Sequence, residues 1–402
     1  MTDSTRQPQA GPPQTLEESH LGIADVEPQD IQRIVLCYPV KTKHLGQIVQ
    51  TLQTIRDTSG VPVRRDIEVV DAGQDRIARE LPRADVFIGH AKVPVDWDAV
   101  LSAGRLRFIQ SSAAGLDHCL VPGVIEDANI RVCSAAGLFA PQVAEQTCCL
   151  LFGLLRRIHT FEQARPTRDF TRRPTDDLRG KTVGIVGLGG NGRMISKVLA
   201  PWDVRIIATD YFPESCPDEV SVLMDASRLD DLLAESDIVI LTLPLNQSTR
   251  HLMNRSMLSR MRAGAYLINV ARGAVVDETA LVDALAEEHL AGVGVDVTEV
   301  EPLPPESPLW DHDRVLISPH VGAQSARRVD DTTDLACENL KRFFLGEALF
   351  NQVDKRLGFP HPSCGYRPGS PNPVHAPGTS PPHGSSQSPG PHQARGSAGP
   401  RE

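Results

Sequence analysis

The stretch Thr182-Val-Gly-Ile-Val-Gly187-Leu-Gly189-Gly190-Asn191-Gly192-Arg-Met-Ile-Ser-Lys-Val-Leu restricts the fold of this chain more than any other segment. A β-branched run leads into Gly-x-Gly-x-x-Gly and a helical pattern leaves it, the strand-turn-helix context that a dinucleotide site requires. Gly187 permits the tight turn, Gly189 lets the backbone approach a pyrophosphate, and Gly192 lets helix and strand pack closely, with phosphate at the helix's positive end. A second β-branched run ends at Asp210, 18 residues beyond Gly192. An acid there binds a ribose 2′-hydroxyl and repels a 2′-phosphate. Tyr211 and Phe212, rather than an arginine, follow it, so NAD is expected over NADP. Read blandly, the glycines only tighten a βα corner and Asp210 only caps its loop; strand, helix and acid at matched separations favour the nucleotide.

Short β-branched runs alternate with helical patterns on both sides of this motif, as in parallel α/β sheets. One set, 33–37, 67–70, 86–89, 106–111 and 129–132, predicts a flavodoxin-like sheet. A second set, 182–186, 204–209, 237–243, 265–270, 293–297 and 314–318, predicts the six strands of a dinucleotide fold. Helical stretches over 141–163 and 325–344 read as crossings between the two. The expected class is therefore α/β, a Rossmann NAD-binding domain over 146–324 inserted in a flavodoxin-like substrate domain built from 31–145 and 325–353. The division leaves a cleft between lobes, where ligands bind. Residues 1–30 are polar without apolar periodicity, and 354–402 hold eleven prolines from Pro360 to Pro400, so both ends are expected to be disordered and the tail after 354 dispensable for catalysis.

A net charge of -10 argues against nucleic acid, whose backbone is gripped by clustered Lys and Arg. No run of 18 apolar residues and no apolar stretch behind a basic start is found, so neither membrane nor secretion is expected and the cytoplasm is. The eight cysteines show no Cys-x-x-Cys and no paired metal spacing; they read as mostly buried thiols, and no metal is expected.

Three residues carry candidate chemistry. Arg272 follows the run Ile268-Asn-Val270-Ala271 at a strand's carboxyl edge, and its planar fork suits a carboxylate beside a carbonyl. Glu301 follows the strand that ends at Asp296, and His320 follows the next. A histidine at that edge, oriented by a carboxylate, carries protons near neutral pH. Singly, Arg272 reads as a surface ion-pair partner, Glu301 as a solvated acid and His320 as a structural histidine. Jointly they read as a site.

The ordered blocks Val-Gly-Ile-Val-Gly-Leu-Gly-Gly-Asn-Gly, Asn-Val-Ala-Arg-Gly-Ala-Val-Val-Asp, Gly-Val-Asp-Val-Thr-Glu-Val-Glu-Pro-Leu-Pro and Ser-Pro-His-Val-Gly-Ala resemble the D-isomer-specific 2-hydroxyacid dehydrogenases, over about 31–351. The resemblance implies hydride transfer between NAD and C2 of a small 2-hydroxy or 2-keto acid, and a dimer through the cofactor domain. It implies Arg272 as substrate-binding arginine, Glu301 as the acid that polarises the histidine, and His320 as general acid and base. Gly190, Asn191, Leu243, Pro244, Val270, Ala271, Asp296, His320 and Gly322 would join Gly187, Gly189, Gly192, Asp210 and Arg272 around the cofactor, with Asp296 facing the carboxamide. Ser111-Ser-Ala113-Ala114-Gly115-Leu-Asp117 resembles the loop whose amides hold the substrate carboxylate, though a plain βα turn would read the same. Asn191 stands where an apolar residue is usual, and Ala113-Ala114 replaces a more glycine-rich form. A formate dehydrogenase-like reading would place Gln at Glu301. A non-enzymatic NAD-sensing corepressor shares the fold and a Pro-rich tail, but this chain reads Val321-Gly-Ala-Gln where those read Ala-Ala-Trp.

Overall fold

The computed structural model describes residues 31–365 except 57–59, 61 and 63–65; the expectations for 1–30 and for 366–402 lie outside the described residues. Strands β1 (Arg33–Cys37), β2 (Glu68–Asp71), β3 (Val86–Gly89), β4 (Phe108–Ser111) and β5 (Arg131–Cys133) form one parallel sheet in the order β2-β1-β3-β4-β5. Strands β3 and β4 are buried at every position, because helices cover both faces and alternation is lost.

The second sheet is also parallel and runs β12-β11-β10-β9-β6-β7-β8. Its members are β6 (Thr182–Val186), β7 (Arg205–Asp210), β8 (Val222–Asp225), β9 (Ile238–Leu241), β10 (Ala265–Asn269), β11 (Leu290–Val295) and β12 (Val315–Ile317). Seven strands replace the expected six. The addition, β8, is a four-residue edge strand with one buried position, too short and too exposed to show a period. Winding reverses between β6 and β9, and ligands bind beyond the carboxyl ends of the strands at such a point. The chain is thus a doubly wound α/β protein with a Rossmann-type sheet set between the parts of a flavodoxin-like one.

The first crossing breaks at Arg157, which takes a left-handed φ of 53°, into helices Ala140–Leu155 and Ile158–Ala164. Val143, Ala144, Leu150, Leu151 and Leu154 pack with Val183, Ile185, Ile240 and Ile268 of the second sheet. From Val143 onward this helix therefore packs on the second core. The second crossing, helix Arg328–Phe344, returns to the first sheet: Ala336, Leu340, Phe343 and Phe344 share a core with Ile34, Val86 and Phe108.

The described residues continue past Asp354 as far as 365. Strands β13 (Val353–Asp354) and β14 (Phe359–Pro360) pair as a hairpin, a 3-10 turn covers Pro362–Cys364, and the amide of Asn351 donates to the Cys364 carbonyl at 2.7 Å. Pro360 pairs with Val353 and Pro362 opens the 3-10 turn, so over 353–365 the chain forms a turn-rich strap.

Candidate active site

The glycine turn opens the site. After β6, Gly187 adopts a φ of +94°, which a side chain would strain, and a Cβ there would stand 3.0 Å from the Leu243 backbone. A Cβ on Gly192 would run into the Gly187 carbonyl, so only glycine lets helix Gly190–Leu199 start this close to the strand. Gly189 faces open space, whereas a Cβ on Gly190 would stand 2.6 Å from Gly137 Cα, in the turn before helix Ala140–Leu155. The cradle that a pyrophosphate needs is present: exposed glycine backbone at the end of a ten-residue helix.

Asp210 closes β7. Its Oδ2 accepts from the Leu188 amide at 2.6 Å and its Oδ1 from the Phe212 amide at 2.8 Å, so one carboxylate ties the glycine loop to the β7 loop. Leu243, Val270 and Ala271 are buried at the carboxyl ends of β9 and β10, with Pro244 beside them.

At the end of β10, the side chain of buried Asn269 accepts from the Ala271 amide at 3.0 Å and donates to the Arg272 carbonyl at 3.0 Å. That clamp turns Arg272 out of the sheet. Its Nε donates to Asp117 at 3.2 Å, its Nη1 donates to the Ala271 carbonyl at 2.7 Å, and its Nη2 rests where a Cβ on Gly115 would stand. The guanidinium thus lies against the small-residue loop. Within that loop the Ala113 amide already donates to Ser111 Oγ at 3.0 Å, which corrects the expectation that all three amides await a carboxylate. The amides of Ala114 and Gly115 donate no hydrogen bond among the described residues.

Asp296, 3 % exposed, organises the far wall. Its Oδ1 accepts from Ser318 Oγ at 2.7 Å and the Val321 amide at 3.0 Å, and its Oδ2 from the Gly322 amide at 2.8 Å. Gln146 Nε2 donates to Ser318 Oγ at 2.8 Å, so the helix between the lobes is wired to the same loop. The contacts of Asp296 are therefore internal, and they set the turn in which His320 adopts a φ of 53°. His320 Nδ1 lies 2.8 Å from Glu301 Oε2. Burial disfavours the Glu301 carboxylate, but the hydrogen bond and charge of His320, the Thr298 amide and Arg272 outweigh it and hold its carboxyl below the usual range. Arg272, Glu301 and His320, drawn from three strand ends, share one electrostatic neighbourhood.

Sequence reasoning missed a stacked histidine pair within the electrostatic reach of Arg272. The rings of His90, directly after β3, and His118, after the small-residue loop, lie 4.0 Å apart. Burial first, then the charges of Lys92 and Arg272, pull His90 down to about 4. Burial first, then His90 and Arg272, pull His118 down to about 3. Both are neutral at physiological pH. The position of His90 at a strand's carboxyl edge was the available signal. Among the described residues, no cluster of His, Cys, Asp or Glu could hold a metal.

Known proteins resemble this chain in sequence and fold. Residues 148–322 match the family model described as D-isomer specific 2-hydroxyacid dehydrogenase, NAD binding domain. A glyoxylate reductase of Thermofilum pendens is 34 % identical over 291 residues, 71 % of this chain and 85 % of that protein. A hydroxypyruvate reductase of Thermotoga maritima is 31 % identical over 257 residues, 63 % of this chain and 82 % of that one. The crystal structure of a D-isomer specific 2-hydroxyacid dehydrogenase from Xanthobacter autotrophicus, in complex with NADPH and MES, superposes with a TM-score of 0.65 at 29 % identity, covering 82 % of this chain and 100 % of that one. Since the likeness runs through both sheets and through the loops that bring Arg272, Glu301 and His320 together, the chain belongs to the D-isomer-specific 2-hydroxyacid dehydrogenases, NAD(P)-dependent oxidoreductases that act on the CH–OH group.

Proposed function

We propose that this enzyme interconverts a small 2-keto acid and its D-2-hydroxy acid, with NAD preferred over NADP. The observation that carries the reading is the His320–Glu301 pair at 2.8 Å, held within reach of Arg272. Glu301 accepts from Nδ1, which leaves Nε2 of the imidazolium to give its proton to the substrate oxygen on reduction and to recover it on oxidation. Arg272 stabilises the charge that develops on that oxygen. The free amides of Ala114 and Gly115, beside the Arg272 guanidinium, bind the substrate carboxylate. When bound, a nicotinamide cofactor would supply the hydride to C2 or accept it. Gly187, Gly189, Gly190, Asn191 and Gly192 would hold its pyrophosphate and Asp210 its adenosine ribose. Leu243, Pro244, Val270, Ala271 and Gly322 would border it, and Asp296 keeps the loop beside the nicotinamide in place.

Glyoxylate, hydroxypyruvate and pyruvate, each assayed with NADH and with NADPH, test the reading. Turnover of at least one with NADH, lost in Arg272→Ala and His320→Ala, is expected. NADH and NADPH bound by a protein that reduces none of them would favour the sensing alternative instead.

Two further points extend the proposal. A homodimer through the cofactor lobe is supported by large apolar residues left exposed there, Ile158, Phe170 and Trp202, and light scattering reads it directly. A cytoplasmic location is supported by eight cysteines that are all free thiols. No helix among the described residues is long and apolar enough to cross a membrane.

A further inference from the structure

The strap that follows Asn351 touches both lobes. On the substrate side Gln352 bridges to Cys133 at the end of β5, and Lys355 Nζ donates to the carbonyls of Val124 at 3.0 Å and Asp127 at 2.5 Å. On the cofactor side the Leu357 carbonyl accepts from Asn246 Nδ2 at 3.0 Å, in the loop that continues from Leu243 and Pro244. Four rings then gather around the β7 loop. Phe359 meets Tyr211 and Phe212 with centroids 5.9 and 6.0 Å apart, and His361 meets Phe212 at 4.6 Å. Phe212 is the residue whose amide donates to Asp210 Oδ1.

We propose that Phe359 and His361 are positioning residues for the adenosine half of the cofactor: they clamp Phe212, and through its amide they fix the carboxylate of Asp210 that meets the ribose. The proposal rests on the reading of Asp210 as the ribose acid. A tie between lobes needs only the backbone and Lys355 contacts; placing two aromatic rings on the loop after the ribose acid does something more. Tyr211 stays 56 % exposed beside the strap, whereas Phe212 is half-buried and meets the rings of Tyr211, Phe359 and His361, two of them from the strap. An acid held by two amides and a clamped loop meets the ribose without having to be ordered first, and pre-organisation of that kind raises affinity. The effect is confined to binding, because neither ring reaches the histidine, the arginine or the small-residue loop.

The test uses the full chain carrying Phe359→Ala, His361→Ala, both together, Phe359→Tyr, and Lys355→Met, which frees the strap from the substrate lobe without touching the β7 loop. NADH binding is followed by fluorescence titration. ADP-ribose, which lacks the nicotinamide, is used as competitor, and kcat is measured at saturating NADH. The double variant should lose about tenfold in affinity for both NADH and ADP-ribose, as expected for two lost aromatic contacts, with kcat within twofold. Phe359→Tyr should restore binding, and Lys355→Met should weaken it in the same direction. Asp210→Asn is measured alongside. If it leaves the preference for NADH over NADPH unchanged, the ribose reading itself fails. If Asp210→Asn lowers that preference while the folded double variant and Lys355→Met bind ADP-ribose as the parent does, the strap has no part in the site and the proposal is overturned. A fall in kcat with unaltered affinity would overturn it equally.

Discussion

Replacing Glu301 by Gln removes one charge from the proton-carrying pair and keeps its shape. The partner atoms are 2.8 Å apart, and the side chains of His320 and Glu301 are 46 % and 39 % exposed. At such exposure an ion pair contributes about 0.2–1 kcal/mol after solvent screening, and one pH unit corresponds to about 1.4 kcal/mol. Reduction needs the imidazolium, which Glu301 favours. The falling alkaline limb of the reductive kcat/KM profile, which reports the free enzyme, should therefore move about 0.1–0.7 pH unit to lower pH in Glu301→Gln, by conversion of that energy. Lobe closure removes water and strengthens the pair, so the limb in kcat should move farther. Oxidation needs the neutral ring and should lose less at mildly acidic pH. His320→Ala should cost about 10² to 10⁴ in kcat, the usual worth of a positioned acid or base. The double variant should be little worse, because both residues serve one proton. Steady-state rates in both directions from pH 5 to 9 decide it. An unmoved limb in Glu301→Gln, or losses that add in the double variant, would refute the paired assignment and leave the nucleotide fold untouched.

Gly115→Ala should leave the melting temperature nearly unchanged, because the atoms nearest the new methyl belong to the movable guanidinium of Arg272. It should lower kcat/KM by about 10², the scale of a misplaced binding group; wild-type kinetics would remove Arg272 from the small-residue loop. The stacked histidines make the fold acid-sensitive. With values pulled to about 4 and about 3, they stay neutral in the folded state while the unfolded chain takes up protons. Stability should thus fall as pH drops below about 6.5, by up to about 1.4 kcal/mol per pH unit for each ring. Urea unfolding at pH 7 and pH 5 reads this, and His118→Gln should flatten the dependence. Deleting 366–402 should leave activity intact, whereas deleting 355–402 should destabilise by about 1–3 kcal/mol, the range for losing a packed segment's contacts; equal melting temperatures for the two would contradict the strap's docking.

Local chemistry wrote much of this molecule into its sequence. Gly187 and Gly192 are demanded by one turn and one close contact within six residues of each other, so their spacing could be read directly. The strand runs were visible because parallel strands buried on both faces are continuous apolar segments. Arg272 and His320 stand immediately beyond two of those runs, so the carboxyl-edge rule located them, and Glu301 follows a third. Where contacts join distant segments, no such pattern exists. The His90–His118 stack joins the edges of two strands, the Asn269 clamp depends on how one side chain folds back over a turn, and Asp296 spends its oxygens on a loop over twenty residues away. The strap is the sharpest case. Its composition announces prolines and glycine, yet Phe359 and His361 find Tyr211 and Phe212 across the cleft. A periodic pattern reports only which face of an element avoids water; which two faces then meet is decided by the register and packing of the whole chain, and that exists only once both sheets have formed.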